Sequence, residues 1–362
     1  EWGEDWIIYP VNGYGNPDMV RSVLRNHKPD LVWFMTDPRF WTWLWAMDNE
    51  IRTHVPMVYH HVWDNKPYPY YNKAHYLSND KIVCISKVTH DIVQTVTPEV
   101  ESIYLPHAVD GEIFKPLPKS EIQQFKESTL PSSKNKFMFF WNNRNARRKQ
   151  SGSLIWWFKE FLDKVGHDKA TLLMHTDPKD PHGQDLGAIV NGLGLTNGQV
   201  YISNQKVPPQ ELAKIINMCD CTVNISDAEG FGLGTLESLS CGVPIIVNMT
   251  GGLQEQVTDG KNWFGIGIEP ASKAIIGSQD VPYIYEDRIN KNDFIDALTK
   301  IFEMPEDERQ KLGELGRKHV QSNYNFETFC NDWIKTIDET IENHGSWETR
   351  KGYTPYTFME IK

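Results

Sequence analysis

Between residues 136 and 248, short apolar runs alternate with helix-period segments, and this rhythm restricts the chain to few folds. KFMFFW (136–141), ATLLMH (170–175), QVYIS (199–203), CTVNIS (221–226) and PIIVN (244–248) have the length and composition of buried strands. Between them, SLIWWFKEFL (153–162), DLGAIVNGLGL (185–195), PPQELAKIINMC (208–219) and GTLESLSCG (234–242) read as helices, the third opened by a proline suited to a first turn. Strand–helix alternation with short connectors implies a parallel sheet covered on both faces. Ligands of such sheets bind at the carboxyl ends of the strands.

The first half repeats the pattern, with strands expected at WIIYP (6–10), DLVWFM (30–35), PMVYHH (56–61), KIVCIS (81–86) and SIYLP (102–106). A Pro- and Lys-rich stretch around 114–136 separates the halves. The length, 362 residues, also suits two domains. The expected division is a first domain over 1–117, a linker over 118–135, a second domain over 136–341 and a tail over 342–362. Four helices are expected after residue 285. The opening EWGEDWIIYP does not read as a natural start, and the first domain is expected to lack its first strand and glycine loop.

A formal net charge of -11 argues against nucleic acid as a partner. No apolar run is long enough to span a bilayer. Five cysteines at spacings that suit neither a disulfide framework nor zinc point to a reducing compartment, and a cytoplasmic location is expected. The sequons at Asn224 and Asn248 end apolar strands and read as chance matches.

Three connectors carry candidate chemistry. DAEGFGLGTLE (227–237) lies between a strand and a helix; its glycines allow close backbone approach, and the helix N-terminus attracts anions. A glycine turn with acids placed for the helix dipole is the alternative. NNRNARRKQ (142–150) follows a strand and holds Arg144, Arg147, Arg148 and Lys149, an anion site or a solvated charged loop. YHHVWDNKPYP (59–69) holds His60 and His61, whose side chains point to opposite faces of a strand.

Together these elements resemble the retaining nucleotide-sugar glycosyltransferases of family 4, which have the GT-B fold: two Rossmann-like αβα domains facing across a cleft. The resemblance rests on the E-x7-E pair Glu229 and Glu237, on CGVPIIVNMTGGLQEQVTDG (241–260), on LPHAVDGEIFKPL (105–117) and on KLGELGRKHVQSNYNFET (311–328). It implies that Glu229 meets the donor sugar and Glu237 the ribose. The backbone of Gly230, Phe231, Gly232, Leu233, Gly234 and Thr235 would hold sugar hydroxyls and the diphosphate. Lys149 and Arg144, with Arg148 as a competitor, would neutralise the leaving diphosphate. His61, or else His60, would be the first-domain histidine. Gln150 stands where the family has a glycine, which puts the local loop geometry in question.

The implied reaction moves a sugar from a UDP-, GDP- or ADP-sugar to a hydroxyl of a glycan, glycoconjugate or lipid. It retains the anomeric configuration and needs no metal and no cofactor; the sequence has no Asp-x-Asp. The base is expected near ISNQKVPP (202–209). A noncatalytic nucleotide-sugar or glycan binder of the same fold is the alternative. A third reading is a peripheral membrane enzyme docking through the aromatic segment 33–47, whose Trp41 and Trp45 otherwise read as core of a helix. The segment 269–288 exceeds the usual family length and has no assigned role.

Overall fold

The computed structural model describes residues 5–357. FMFFWN forms the strand β5 (Phe137–Asn142), and its apolar side chains feed both faces of a sheet. Met138 and Phe140 enter one buried cluster with Leu236 and Leu239, while Phe139 and Trp141 enter another with Leu154, Phe158 and Phe161. A strand buried on both faces needs a continuous apolar run, which this one has.

The second-domain sheet is parallel and six-stranded. Its strands β5, β6 (Ala170–His175), β7 (Val200–Ser203), β8 (Cys221–Asn224), β9 (Ile245–Asn248) and β10 (Gly265–Ile268) run in the order β10-β9-β8-β5-β6-β7. Helices Ser151–Val165, Leu186–Gly192, Pro209–Asn217 and Leu233–Ser240 match the expected helices, the first longer at both ends and the others with ends shifted by a few residues. The chain moves outward from β5 in one direction through β6 and β7, then returns beside β5 at β8 and moves the other way. The crevice between β5 and β8 is therefore a topological switch point, where ligands of open α/β sheets bind.

The first domain is a second parallel sheet of four strands, β1 (Val32–Thr36), β2 (Met57–His61), β3 (Lys81–Cys84) and β4 (Glu101–Tyr104), in that order. WIIYP is not a strand: it joins none of the sheets among the described residues, and Trp6, Ile7 and Ile8 are largely exposed. The aromatic segment 33–47 is not one helix. It ends β1, passes through a 3-10 turn (Pro38–Phe40) and enters the short helix Thr42–Trp45. Leu44, Trp45 and Met47 are nevertheless buried in the first-domain core, as expected of core residues.

The stretch expected as a linker holds a helix, Lys119–Thr129, and a 3-10 turn, Pro131–Ser133. Three α-helices, not four, follow residue 288 among the described residues: Lys291–Glu303, Glu306–Asn323 and Phe326–His344. The second begins with Glu306, Asp307 and Glu308, which complement its dipole. The third crosses back to the first domain, where Phe329 and Trp333 cover Val58, Val83 and Leu105. The tail follows it: Trp347 Nε1 donates to Pro29 O at 2.9 Å, and Arg350 pairs with Asp80 at 2.6 Å.

The segment 269–288 is an antiparallel hairpin of β11 (Ser272–Ile276) and β12 (Ile284–Arg288). Cys84, Cys219, Cys221 and Cys241 are buried free thiols, and Cys330 is half-buried and free. Asn224 and Asn248 are buried, so neither sequon is presented at the surface. No helix among the described residues is long and apolar enough to cross a membrane.

Candidate active site

The loops that leave β5 and β8 meet because those strands are neighbours, and they are knitted residue by residue. Asp227 N–H donates to Arg148 O at 2.8 Å. The Arg148 guanidinium donates to Ala228 O at 2.7 Å, Lys149 Nζ pairs with the Glu229 carboxylate, and Gln150 Nε2 donates to Asp227 Oδ2 at 2.6 Å. Gln150 adopts the left-handed conformation (φ 57°, ψ 32°) that a glycine would take most easily. Its amide bonds to Asp227 and Ser153 hold it there, so the loop keeps the glycine-type turn without the glycine.

Glu229 and Lys149 are both buried. Asn224 Nδ2 (3.3 Å) and Ser226 Oγ (3.4 Å) also donate to the Glu229 carboxylate. Burial opposes its charge, but Lys149 and Arg148 outweigh burial and hold its pKa below the ordinary carboxylate value. Burial draws the Lys149 ammonium below its ordinary value despite Glu229.

After Glu229 the chain turns through Gly232, at φ 97°, into the helix Leu233–Ser240. Gln256 Nε2 holds the carbonyls of Phe231 and Gly232 at 2.8 and 3.2 Å, and Thr235 Oγ1 donates to Gly232 O at 2.8 Å. The loop carbonyls are thus tied back. The first-turn amides of Leu233, Gly234 and Thr235 point out of the helix N-terminus as donors without intrahelical acceptors. Gly251, at φ 48°, packs on the Glu229 carbonyl so closely that a β-carbon there would collide with it. The Phe231 side chain is buried in a cluster that joins both domains, with Ile85 and Val109 from the first and Leu236 and Leu239 from the second.

Glu237 lies one turn into that helix. No side chain among the described residues pairs with its carboxyl, and burial pushes its pKa up to about 7. Burial likewise raises Asp227 to about 6.

The other expected site residues are placed differently. Arg144 is exposed and engaged with Asp180 (2.6 Å) and His182 (2.7 Å), away from Lys149 and Glu229. Arg148 is the arginine that the structure brings to that pair. His61 does not reach the cleft. It is fully buried on the Tyr59 side of β2, with Nδ1 on Tyr59 OH and Nε2 on Tyr76 OH, both at 2.8 Å. His60 points to the opposite face, as strand alternation requires, and packs against Trp333 and His107. Burial lowers both histidines to about 3.

The first-domain groups that do meet the loop were not singled out from sequence. His107 meets the Phe231 ring edge-on at 5.2 Å, and Asp64 lies 3.6 Å from Arg148 and against Gly230. Glu255 bridges the domains, accepting from Tyr104 OH at 2.7 Å and from Lys87 N–H at 2.8 Å. His107 and Glu255 lie inside segments that carried the resemblance and Asp64 lies in the connector 59–69, but only the facing of the two domains gives them partners. No group of three metal-ligating side chains gathers among the described residues.

Comparison with known proteins places this geometry. Residues 124–319 match the family described as Glycosyl transferases group 1. The chain is 23% identical over 205 residues to N-acetyl-alpha-D-glucosaminyl L-malate synthase from Bacillus anthracis, covering 56% of this chain and 49% of that protein. It is 32% identical over 90 residues to D-inositol 3-phosphate glycosyltransferase from Acidothermus cellulolyticus, covering 25% of this chain and 20% of that protein. The chain therefore spans about half or less of these relatives. Among solved structures, Anabaena HepE in complex with UDP and glucose superposes with a TM-score of 0.69 at 15% identity, over 88% of this chain and 81% of that one. At that identity the likeness is one of fold, the two-domain GT-B architecture.

Proposed function

The chain belongs to the glycosyl transferases group 1 family, and from that premise we propose that it transfers a sugar from a nucleoside-diphosphate sugar to an acceptor hydroxyl, with retention at the anomeric carbon and without a metal. One observation carries this reading: a buried Lys149–Glu229 pair, with Arg148 beside it, lies at the switch point next to the N-terminus of Leu233–Ser240. As the glycosidic bond breaks, the leaving diphosphate gains negative charge. Lys149, Arg148 and the first-turn amides are preorganised to stabilise it, the electrostatic route to rate enhancement. The same groups do the work otherwise assigned to a cation.

Glu229 is held as a carboxylate and accepts from sugar hydroxyls near the reacting carbon. Glu237 accepts from the ribose diol. Glu229, the acid placed nearest the reacting carbon, is engaged by Lys149, Asn224 and Ser226, so it does not act as a covalent nucleophile in this scheme. Front-face attack follows, in which the departing phosphate oxygen takes the acceptor proton while the new bond forms on the face the nucleotide leaves. His61 has no part in this scheme, since both its nitrogens are spent in the first-domain core.

The fold shared with a UDP- and glucose-bound structure makes UDP-glucose the first donor to assay, followed by GDP- and ADP-sugars. Release of the nucleoside diphosphate and anomer-resolved NMR of the product test transfer and retention. Turnover is expected to persist in EDTA; loss on chelation and recovery with a divalent cation would overturn the metal-free scheme. Nucleotide binding without turnover of any donor would favour the noncatalytic reading.

A further inference from the structure

The β11–β12 hairpin leaves the second domain and packs on the first. Val281 is buried in the first-domain core, and Tyr71 OH donates to Tyr283 O at 2.7 Å. Tyr285 N–H donates to Lys66 O at 2.6 Å, and Asn65 Nδ2 donates to Asp287 Oδ2 at 2.7 Å. The hairpin thereby walls off a cavity of about 200 Å³ between the domains. Ala228 lines it, and Asp64, also in its lining, lies against Gly230, so the cavity abuts the loop assigned above to the donor. Sites for drug-sized ligands run to about 300–1,000 Å³. This one has room for a single small unit such as one sugar ring.

Its charges are already matched. Six charged side chains line the cavity: Asp37, Arg39, Asp64, Arg147, Arg148 and Glu286. Arg39 pairs with Asp37 at 3.1 Å and Arg148 with Asp64 at 3.6 Å. Arg147 pairs with Glu286, which Arg288 also holds at 2.7 Å. Arg148 is assigned above to the donor diphosphate; at Arg39 and Arg147 an incoming anion would have to displace a carboxylate from its guanidinium and leave it unpaired, a costly change in a partly desolvated site. A neutral hydroxyl accepts from a guanidinium and donates to the neighbouring carboxylate, so it joins each pair without breaking it.

We propose that this cavity is the acceptor subsite, that it selects a neutral polyhydroxylated unit over a phosphorylated or carboxylated one, and that Glu286 of the hairpin is a specificity-determining residue. The proposal rests on the transfer reading above.

The test uses the full chain with its best donor and matched acceptor pairs: glucose against glucose 6-phosphate, and myo-inositol against inositol 3-phosphate. The neutral member should have the higher kcat/KM in each pair. Glu286→Gln releases Arg147 and Arg288 and should move the ratio toward the phosphorylated member by about tenfold or more. Should that variant fail to fold by circular dichroism, Asp37→Asn, which releases Arg39, should move it the same way. Equal or better use of a phosphorylated member by the unaltered protein overturns the proposal. So does donor hydrolysis with no neutral member accepted, or an unmoved ratio in a folded variant. If no sugar nucleotide is bound or cleaved, the transfer reading fails instead, and the two failures are distinguishable.

Discussion

On the second-domain wall of the cleft, polar groups are held ready but incompletely used. Lys149 and Glu229 hold each other, the carbonyls of Phe231 and Gly232 are tied back by Gln256, and Glu237 has no side-chain partner among the described residues. On the first-domain wall the histidines are spent or enclosed: His61 has a hydroxyl on each nitrogen, and His60 is buried among aromatic rings. The contrast separates groups poised for a ligand from groups that build the wall. A buried pair close to a helix N-terminus can exchange partners when an anion arrives, whereas a histidine between two tyrosines cannot leave without breaking a buried hydrogen bond to each.

The largest test of that contrast is Lys149→Ala. It removes the cation nearest Glu229 and should lower kcat by roughly 10³-fold, measured as release of the nucleoside diphosphate. Next come the two arginines. Arg148→Ala should cost about 10²-fold, whereas Arg144→Ala, already satisfied by Asp180 and His182, should stay within about threefold. Equal losses at both positions would mean that Arg144 swings into the site, and the contrast between walls would have to be redrawn.

A smaller effect is expected from pH. In the proposed scheme the ribose hydroxyls meet the ionised form of Glu237, which appears as pH rises through about 7. Nucleotide affinity should therefore rise by up to about tenfold from pH 6 to pH 8, because a group with that pKa is roughly one-tenth ionised at the lower value. Glu237→Gln should flatten the part of the profile due to this carboxyl, as read by calorimetry. The raised pKa has the opposite sign for stability. The native state binds more protons than the unfolded one between pH 4.5 and about 7, so this group's contribution declines as pH rises through that window. The smallest effect on transfer is expected from His61→Phe, which breaks the buried hydrogen bonds to Tyr59 and Tyr76 while Tyr59 OH keeps Thr36 O. It should cost about 1–3 kcal/mol of stability in denaturant melts while turnover per folded molecule changes little.

The second-domain fold was readable because each strand is a closed apolar run with a helix behind it; ATLLMH matches β6 residue for residue. The DAEGFGLGTLE loop was readable because glycines beside a helix start have few uses. The first-domain wall was not. Alternation along β2 says that His60 and His61 face opposite ways, but which way the cleft lies depends on where the other domain sits. WIIYP has strand composition without a strand beside it. The β11–β12 hairpin escaped because its partners, Asn65, Lys66 and Tyr71, are some 200 positions away in sequence.

The crossing of Phe326–His344 onto the first sheet has a consequence for modularity. The first-domain unit is discontinuous, completed by sequence that follows the whole second-domain sheet. A chimaera that exchanges residues 1–117 for those of another member would set foreign strands against this helix and tail, and would take from Phe329 and Trp333 the Val58, Val83 and Leu105 surface they cover. An exchange that carries residues 326–357 along with 1–117 keeps that buried surface intact, and it is the cut the architecture permits.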